Sequence, residues 1–252
     1  MPLTPPFYFR LPYPIAALVL AAPLLISPAT AEDASVPNKT WVSEITFGGS
    51  IATGNTERTS LDMEAYAKYR SGRVLDEYKL SAEVAREAGT TTAERIKGGY
   101  QTNVDIQDGL FALAFANGED DRFSGFKYEL ESGIGVGYRV INTSTMRLSF
   151  EGGPGYRYSK ATPPLRTERE IFARGTADFE YKISDNATLN NEATISWDDQ
   201  RTKVENTLSV SSKIIGALSG RTSLNVRYNS NPPAANLDKT DTITKIALVY
   251  RF

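Results

Sequence analysis

Residues 126–158 read FKYELESGIGVGYRVINTSTMRLSFEGGPGYRY, and taken alternately they separate into two unlike rows. Phe126, Tyr128, Leu130, Ser132, Ile134, Val136, Tyr138 and Val140 form a nearly continuous apolar row. Lys127, Glu129, Glu131, Gly133, Gly135, Gly137 and Arg139 form a row that is charged or bare. Successive side chains of a β-strand point to opposite sides, so the run predicts one strand between two different media. Polar residues 142–145 make a turn. The alternation resumes with Leu148, Phe150, Gly152, Pro154, Tyr156 and Tyr158 against Arg147, Ser149, Glu151, Gly153, Gly155 and Arg157.

A soluble sheet with one wet face alternates in the same way. Length separates the two cases. Soluble strands usually run about five or six residues, and this pattern persists for more than twice that. A bilayer-crossing strand needs about 9–11 tilted residues with aromatics at the headgroup levels. Phe126 and Tyr128 stand at one end of the apolar row and Tyr138 at the other. The hairpin therefore predicts part of a transmembrane β-barrel, with the apolar row against lipid and the charged, glycine-rich row in the lumen.

Working outward, the same alternation recurs in both directions. Upstream strands are expected at 41–53 and 59–70, then around Tyr78, Leu80, Ala82 and Val84, around Ile96, Tyr100, Val104 and Ile106, and around Phe111, Leu113 and Phe115. Each of these apolar sets is assigned to the outer face. Downstream strands are expected around 171–181, 189–197, 204–214, 222–228 and 242–252. The sum is an all-β, antiparallel up-and-down barrel of about twelve strands spanning 41–252. Connections at 107–109, 142–145, 184–186 and 216–220 are tight. Those at 87–93, 117–125, 159–169, 198–203 and 229–239 are mostly longer and more polar. Outer-membrane barrels have short periplasmic turns and longer external loops, which places both termini in the periplasm.

Residues 1–31 resemble an export signal: Arg10 is the positive segment, 15–26 the apolar core, and Ala29-Thr30-Ala31 a small-x-small cleavage site. The apolar run is too short for a spanning helix, which takes about 20 residues. Residues 32–40 are then a short periplasmic lead. Mean hydropathy is −0.33, too polar for a helical membrane bundle and suited to alternating strands.

Two details follow from pairing the central hairpin about its turn. Glu131 falls opposite Arg157, Gly133 opposite Gly155 and Gly135 opposite Gly153. The glycines leave a bare patch on the inner wall, open either to bulky lumen side chains packing over it or to a permeant. Pro154 lacks an N–H and lies in mid-strand of a closed barrel, so a bulge or a broken rung is expected there.

With these segments placed, the chain resembles the YdiY-like family of salt-induced outer membrane proteins, whose domain has no assigned function. The segments that carry the likeness are 50–56, with Gly54-Asn55-Thr56, 91–100, 122–139, 151–158 and 249–252; Gly153-Pro154-Gly155-Tyr156-Arg157 is the most specific. The resemblance implies an outer-membrane barrel linked to salt stress and supplies no catalytic residues. Ile246, Leu248, Tyr250 and Phe252 also resemble the terminal signal read by the barrel-insertion machinery, and would serve equally as the last strand's outer row.

Composition excludes several classes. Zero His removes the usual Ser–His and Asp–His hydrolases. Zero Cys removes disulfides, zinc thiolates and thiol catalysis. A net charge of −2 argues against a nucleic-acid binder. No cofactor or metal site is expected, and no enzyme, although paired carboxylates such as Glu129 and Glu131 keep a surface enzyme as the last alternative. Glu119-Asp120-Asp121 and Asp198-Asp199 read as solvated loop charge at the outer surface, with bridging to lipopolysaccharide through divalent ions as the alternative. The lumen candidates are Lys127, Glu131, Gly133, Gly135, Arg139, Arg147, Glu151, Gly153, Gly155 and Arg157. Their mixed signs favour ion pairs that fill or narrow the interior over the single-sign rings of a strongly selective pore. The expected function is a structural, envelope-stress barrel with a largely filled lumen; a narrow channel for ions or small solutes is the rival. Expected partners are outer-membrane lipid, lipopolysaccharide and the insertion machinery.

Overall fold

The computed structural model describes residues 39–52, 58–87, 90–122, 126–161, 166–232 and 238–252. The export signal, most of the lead, the turn at Gly54-Asn55-Thr56 and Pro163-Pro164 lie outside the described residues. Twelve antiparallel strands close on themselves: β1 Thr40–Ala52, β2 Arg58–Ser71, β3 Val74–Glu87, β4 Thr90–Gln107, β5 Leu110–Asp121, β6 Phe126–Asn142, β7 Met146–Ala161, β8 Thr167–Ser184, β9 Ala187–Trp197, β10 Thr202–Ile215, β11 Leu218–Asn229 and β12 Thr240–Arg251. Each strand pairs with its sequence neighbours, and β1 pairs with β12 from Glu44↔Arg251 to Ala52↔Ile243. Closure matters because hydrocarbon offers no partner to a free N–H or C=O.

Connections at one end hold two or three residues: 72–73, 108–109, 143–145, 185–186 and 216–217. Gly72, Gly109 and Gly216 adopt positive φ there, at 58°, 74° and 54°, a region open to glycine without steric cost. The chain's β1 start and β12 end lie at this same end, so "turn end" and "loop end" name the two mouths below. Several strands outrun their sequence-based limits. Strand structure enters the expected loop at 87–93, with β3 running through Glu87 and β4 starting at Thr90, and β5 continues through Asp121.

Outward rows are apolar and exposed. They include Phe47, Leu61, Met63, Leu80, Ile96, Ile134, Val136, Ile171, Ile195, Val210, Ile246 and Leu248. Aromatics mark both edges of this band. Trp41 stacks near Tyr69 (4.6 Å), Tyr78 near Tyr100 (5.1 Å) and Tyr250 near Phe252 (5.0 Å) towards the turn end; Tyr128 stacks on Tyr158 (6.0 Å) towards the loop end. Tyr128 and Tyr138 are ten residues apart on β6. At about 3.3 Å per residue and a tilt of roughly 40°, that spans about 25 Å, the height of a barrel's lipid-facing band.

The central hairpin pairs as expected, with Glu131↔Arg157 and Gly133↔Gly155. The ladder then skips to Val136↔Gly152, leaving Ile134, Gly135, Gly153 and Pro154 out of the β6–β7 pairing. This is the broken rung that Pro154 imposes. Pro154 keeps its pairing with Ala173 on β8 and faces outward, exposed. A Cβ on Gly153 would lie 2.0 Å from the Ile134 carbonyl oxygen, so only glycine lets the two strands pass here.

Two outward assignments are overturned. Phe111, Leu113 and Phe115 do not face lipid. They are buried with Phe172 in one apolar cluster inside the barrel, and Ala112, Ala114 and Ala116 take the alternate row. The cause is across the strand: Phe111 pairs with Gly137, Phe115 with Gly133 and Phe172 with Gly155. A Cβ at those glycines would stand 2.2, 2.6 and 2.4 Å from the rings. The bare patch on the inner wall is thus the bed for three phenyl rings. Phe126 is likewise buried rather than outward, because the register shifts between Phe126 and Tyr128.

Candidate functional site: the charged lumen

Each of the three rings bedded on glycine carries an arginine on its other face. Arg139 lies 4.5 Å over Phe111, Arg174 lies 4.3 Å over Phe115 and Arg157 lies 4.6 Å over Phe172. Glycine below, ring between and guanidinium above make a repeated layer. The guanidinium stacks on the ring by cation–π attraction and keeps its N–H groups free for carboxylates.

At the loop end those carboxylates converge on Arg157. Its Nε lies 2.7 Å from Glu131, and its Nη1 lies 2.7 Å from Asp198 and 3.3 Å from Glu170. Arg201 Nη2 joins Glu170 at 2.9 Å and Glu129 at 3.3 Å. Lys203 also pairs with Glu129, and the Ser159 hydroxyl donates to Glu129 at 2.9 Å. The connection between β9 and β10 is folded inward by its own aspartate: Asp198 Oδ1 accepts from the backbone N–H groups of Gln200 (2.9 Å) and Arg201 (2.8 Å). Asp198 is therefore not solvated surface charge. Its side chain is 2% accessible, and that of Arg157 1%.

Glu119 and Asp121 are also not loop charge. They sit on β5, where Arg95 lies 3.1 Å from Glu119 and 2.6 Å from Asp121, and Lys97 lies 2.9 Å from Glu119. The cations on β4 bring these acids into the sheet.

Mid-depth contacts are of another kind. Lys79 on β3 reaches Glu192 on β9 at 2.9 Å, and Lys97 on β4 reaches Glu205 on β10 at 3.6 Å. In a ring of twelve strands, β3 and β9 are six places apart in either direction, and so are β4 and β10. Both pairs cross the full width of the lumen. The first pair is open to solvent, its Lys79 and Glu192 side chains 55% and 44% accessible; in the second Glu205 is 50% accessible and Lys97 28%. Nearer the turn end, Asp105 accepts from Arg70 at 2.9 Å and Arg139 at 2.8 Å, and Arg147 pairs with Glu180.

Glu131 and Arg157 meet in the loop-end cluster. Arg139 joins the turn-end group, Arg147 pairs on the β7–β8 wall, and Glu151 accepts from Gln101 at 3.0 Å. Gly133 and Gly155 bed phenyl rings, and Gly135 and Gly153 form the close crossing at the broken rung. Lys127 is not brought together with the others; it is the unpaired residue of the bulge at the start of β6, exposed at the loop end. Sequence reasoning missed Glu170, Arg201 and Lys203 at the loop end, and Lys79 and Glu205 at mid-depth. Lys79 and Glu205 each sit on an inward row by parity, and that was the available signal.

A family described as "Protein of unknown function, DUF481" matches residues 45–252. The chain belongs to this family. It is 22% identical over 220 residues to the uncharacterized protein YdiY of Escherichia coli strain K12, which covers 87% of this chain and 86% of the relative. The fold is similar to that of the NanC porin, with a TM-score of 0.57 at 9% identity over 82% of this chain and 98% of the porin. It is also similar to the COG4313 outer membrane channel from Pseudomonas putida F1, with a TM-score of 0.50 at 8% identity over 90% and 100%. At such identities the likeness is one of architecture, an outer-membrane-type β-barrel.

Proposed function

We propose that the protein is an integral outer-membrane barrel that at rest serves as a structural, envelope-stress component, its lumen filled and crossed by charged side chains. The observation that carries this is the pair of wall-to-wall contacts, Lys79–Glu192 and Lys97–Glu205, below a dry ionic cluster at the loop end. In this reading the chain is exported by a cleaved signal and both termini lie in the periplasm. The insertion machinery reads Ile246, Leu248, Tyr250 and Phe252, all exposed on the outer face, and the loop end meets lipopolysaccharide. A link to salt stress rests on the family resemblance alone. The experiment is single-channel recording in planar bilayers: the expected trace at moderate salt lacks the steady large steps of an open barrel. Persistent large steps from the resting wild type would overturn the filled-lumen reading.

One observation favours a second reading, a narrow channel for ions or small solutes. The mid-depth bridges leave room for solvent: Lys79, Glu192 and Glu205 are about half-exposed and Lys97 partly so, which keeps the groups that close the lumen within reach of water.

A further inference from the structure

Each of the two crossing lysines has a second acid on its own side of the lumen, while Glu192 lies within wider electrostatic reach of Arg174 and Lys68, and Glu205 of Lys203 and Arg95. Lys97 lies 2.9 Å from Glu119 on the neighbouring strand β5 and 3.6 Å from Glu205 on the far wall, so its near-wall contact is the shorter one. Lys79 is within electrostatic reach of Glu77 on its own strand, an acid that also pairs with Lys68 at 3.2 Å. Across the lumen, Glu192 stands directly opposite another carboxylate, Asp178, in the β8–β9 ladder. Among the described residues Glu192 has one ion pair, with Lys79, and Glu205 has one, with Lys97.

We propose that Lys79 and Lys97 form a retractable latch across the lumen, and that Asp178, Glu192 and Glu205, once released, make the open path selective for small cations. This rests on the narrow-channel reading and names its permeant class. Retraction exchanges a far-wall partner for a near-wall one, so the lysines stay compensated while the far wall loses its tethered ammonium groups. Mobile cations from solution then take their place beside the carboxylates. Because the latch is wet, added salt screens it and favours retraction, whereas dry pairs resist screening.

The test uses the full mature barrel in planar bilayers under KCl gradients. Wild-type conductance is expected to rise more steeply with KCl than the conductivity of the solution does. The double variant Lys79→Met with Lys97→Met should conduct several-fold more than wild type, with a reversal potential displaced towards that of K⁺. Adding Glu192→Gln and Glu205→Gln to that background should keep conduction and erase most of the displacement. Conduction without cation preference in the lysine-free barrel, or a preference untouched by the glutamines, would overturn the latch assignment while leaving a channel in place. A lysine-free barrel that is folded by its heat-modifiable gel migration and passes no current would sink the channel reading itself, and the latch with it. Lys79→Gln with Lys97→Gln, which keeps polar stems, serves where the methionine pair does not refold.

Discussion

The loop-end cluster around Arg157 and the mid-depth bridges of Lys79 and Lys97 use the same chemistry in the same lumen, yet they differ in water. Arg157 and Asp198 are 1% and 2% accessible; Lys79 and Glu192 are 55% and 44% accessible. A charge withdrawn from water must be compensated in place, and breaking its pair leaves the partner stranded. A charge still in water loses little when its partner leaves, because solvent and salt replace it. The cluster is therefore fixed and the bridges are exchangeable. Geometry agrees: the cluster gathers strands β6, β7, β8 and β10 and the inward-folded β9–β10 connection, while each bridge is two long side chains meeting across open width.

The sharpest way to break this contrast is at Arg157. Arg157→Met leaves Glu131, Asp198, Glu170 and Glu129 with Arg201 and Lys203 alone, and is expected to cost about 3–5 kcal/mol, the usual penalty for removing one partner of a buried pair. Guanidinium unfolding of the barrel in lipid vesicles, followed by the fluorescence of Trp41 and Trp197, reads the loss. A cost below about 1 kcal/mol would mean that the cluster is as hydrated as the bridges.

Next in size come the glycines beneath the rings. Gly137→Ala would press a methyl into Phe111 at 2.2 Å, and Gly133→Ala would press one into Phe115 at 2.6 Å. Each is expected to destabilise by about 1–3 kcal/mol, as overpacking does. The same unfolding assay checks it, and Gly98→Ala, with open space around its Cβ position, is the control. Equal small losses at Gly98, Gly133 and Gly137 would show that the rings move aside and that the layered Gly–Phe–Arg stacks do not set the inner wall.

Much of this architecture could be read from alternation alone. The two rows of β6 and β7, the turn between them, the Glu131–Arg157 pairing and the interruption at Pro154 all follow from period, parity and a missing N–H. β5 defeated the same method because both of its rows are apolar. Phe111, Leu113 and Phe115 are the more hydrophobic row, so hydrophobicity alone turns them towards lipid. Register turns them inward, since each phenylalanine falls beside a glycine on the next strand and the arginines then cap the rings. Asp198 is hidden for a similar reason: the residues that follow it in sequence are polar, while the arginine it meets in the dry interior stands on another strand. The crossing bridges are the least legible. Lys79 and Glu192 are 113 residues apart, and nothing local says that twelve strands close to a width two side chains can span.

The third prediction turns salt against both regions at once. The difference in unfolding free energy between wild type and Arg157→Met should be nearly constant from low to high KCl. Screening acts over about 10 Å at 0.1 M and about 3 Å at 1 M, but it acts through water that this cluster excludes. A steep decline with salt would place the cluster in contact with solvent.

The smallest effect on stability is expected at Lys79. Lys79→Met removes one half-exposed bridge and leaves Glu192 in water beside Asp178, so its cost should fall within about 1 kcal/mol and shrink further as KCl is raised. What the substitution removes in energy is slight, but what it removes in space is a side chain laid across the full lumen. Stability and conductance should therefore move independently here, the first almost unchanged and the second increased, whereas Arg157→Met should change stability first. A loss at Lys79 as large as that at Arg157 would erase the distinction between the two regions, because it would require the mid-depth pair to be dry, and a dry pair cannot act as a latch.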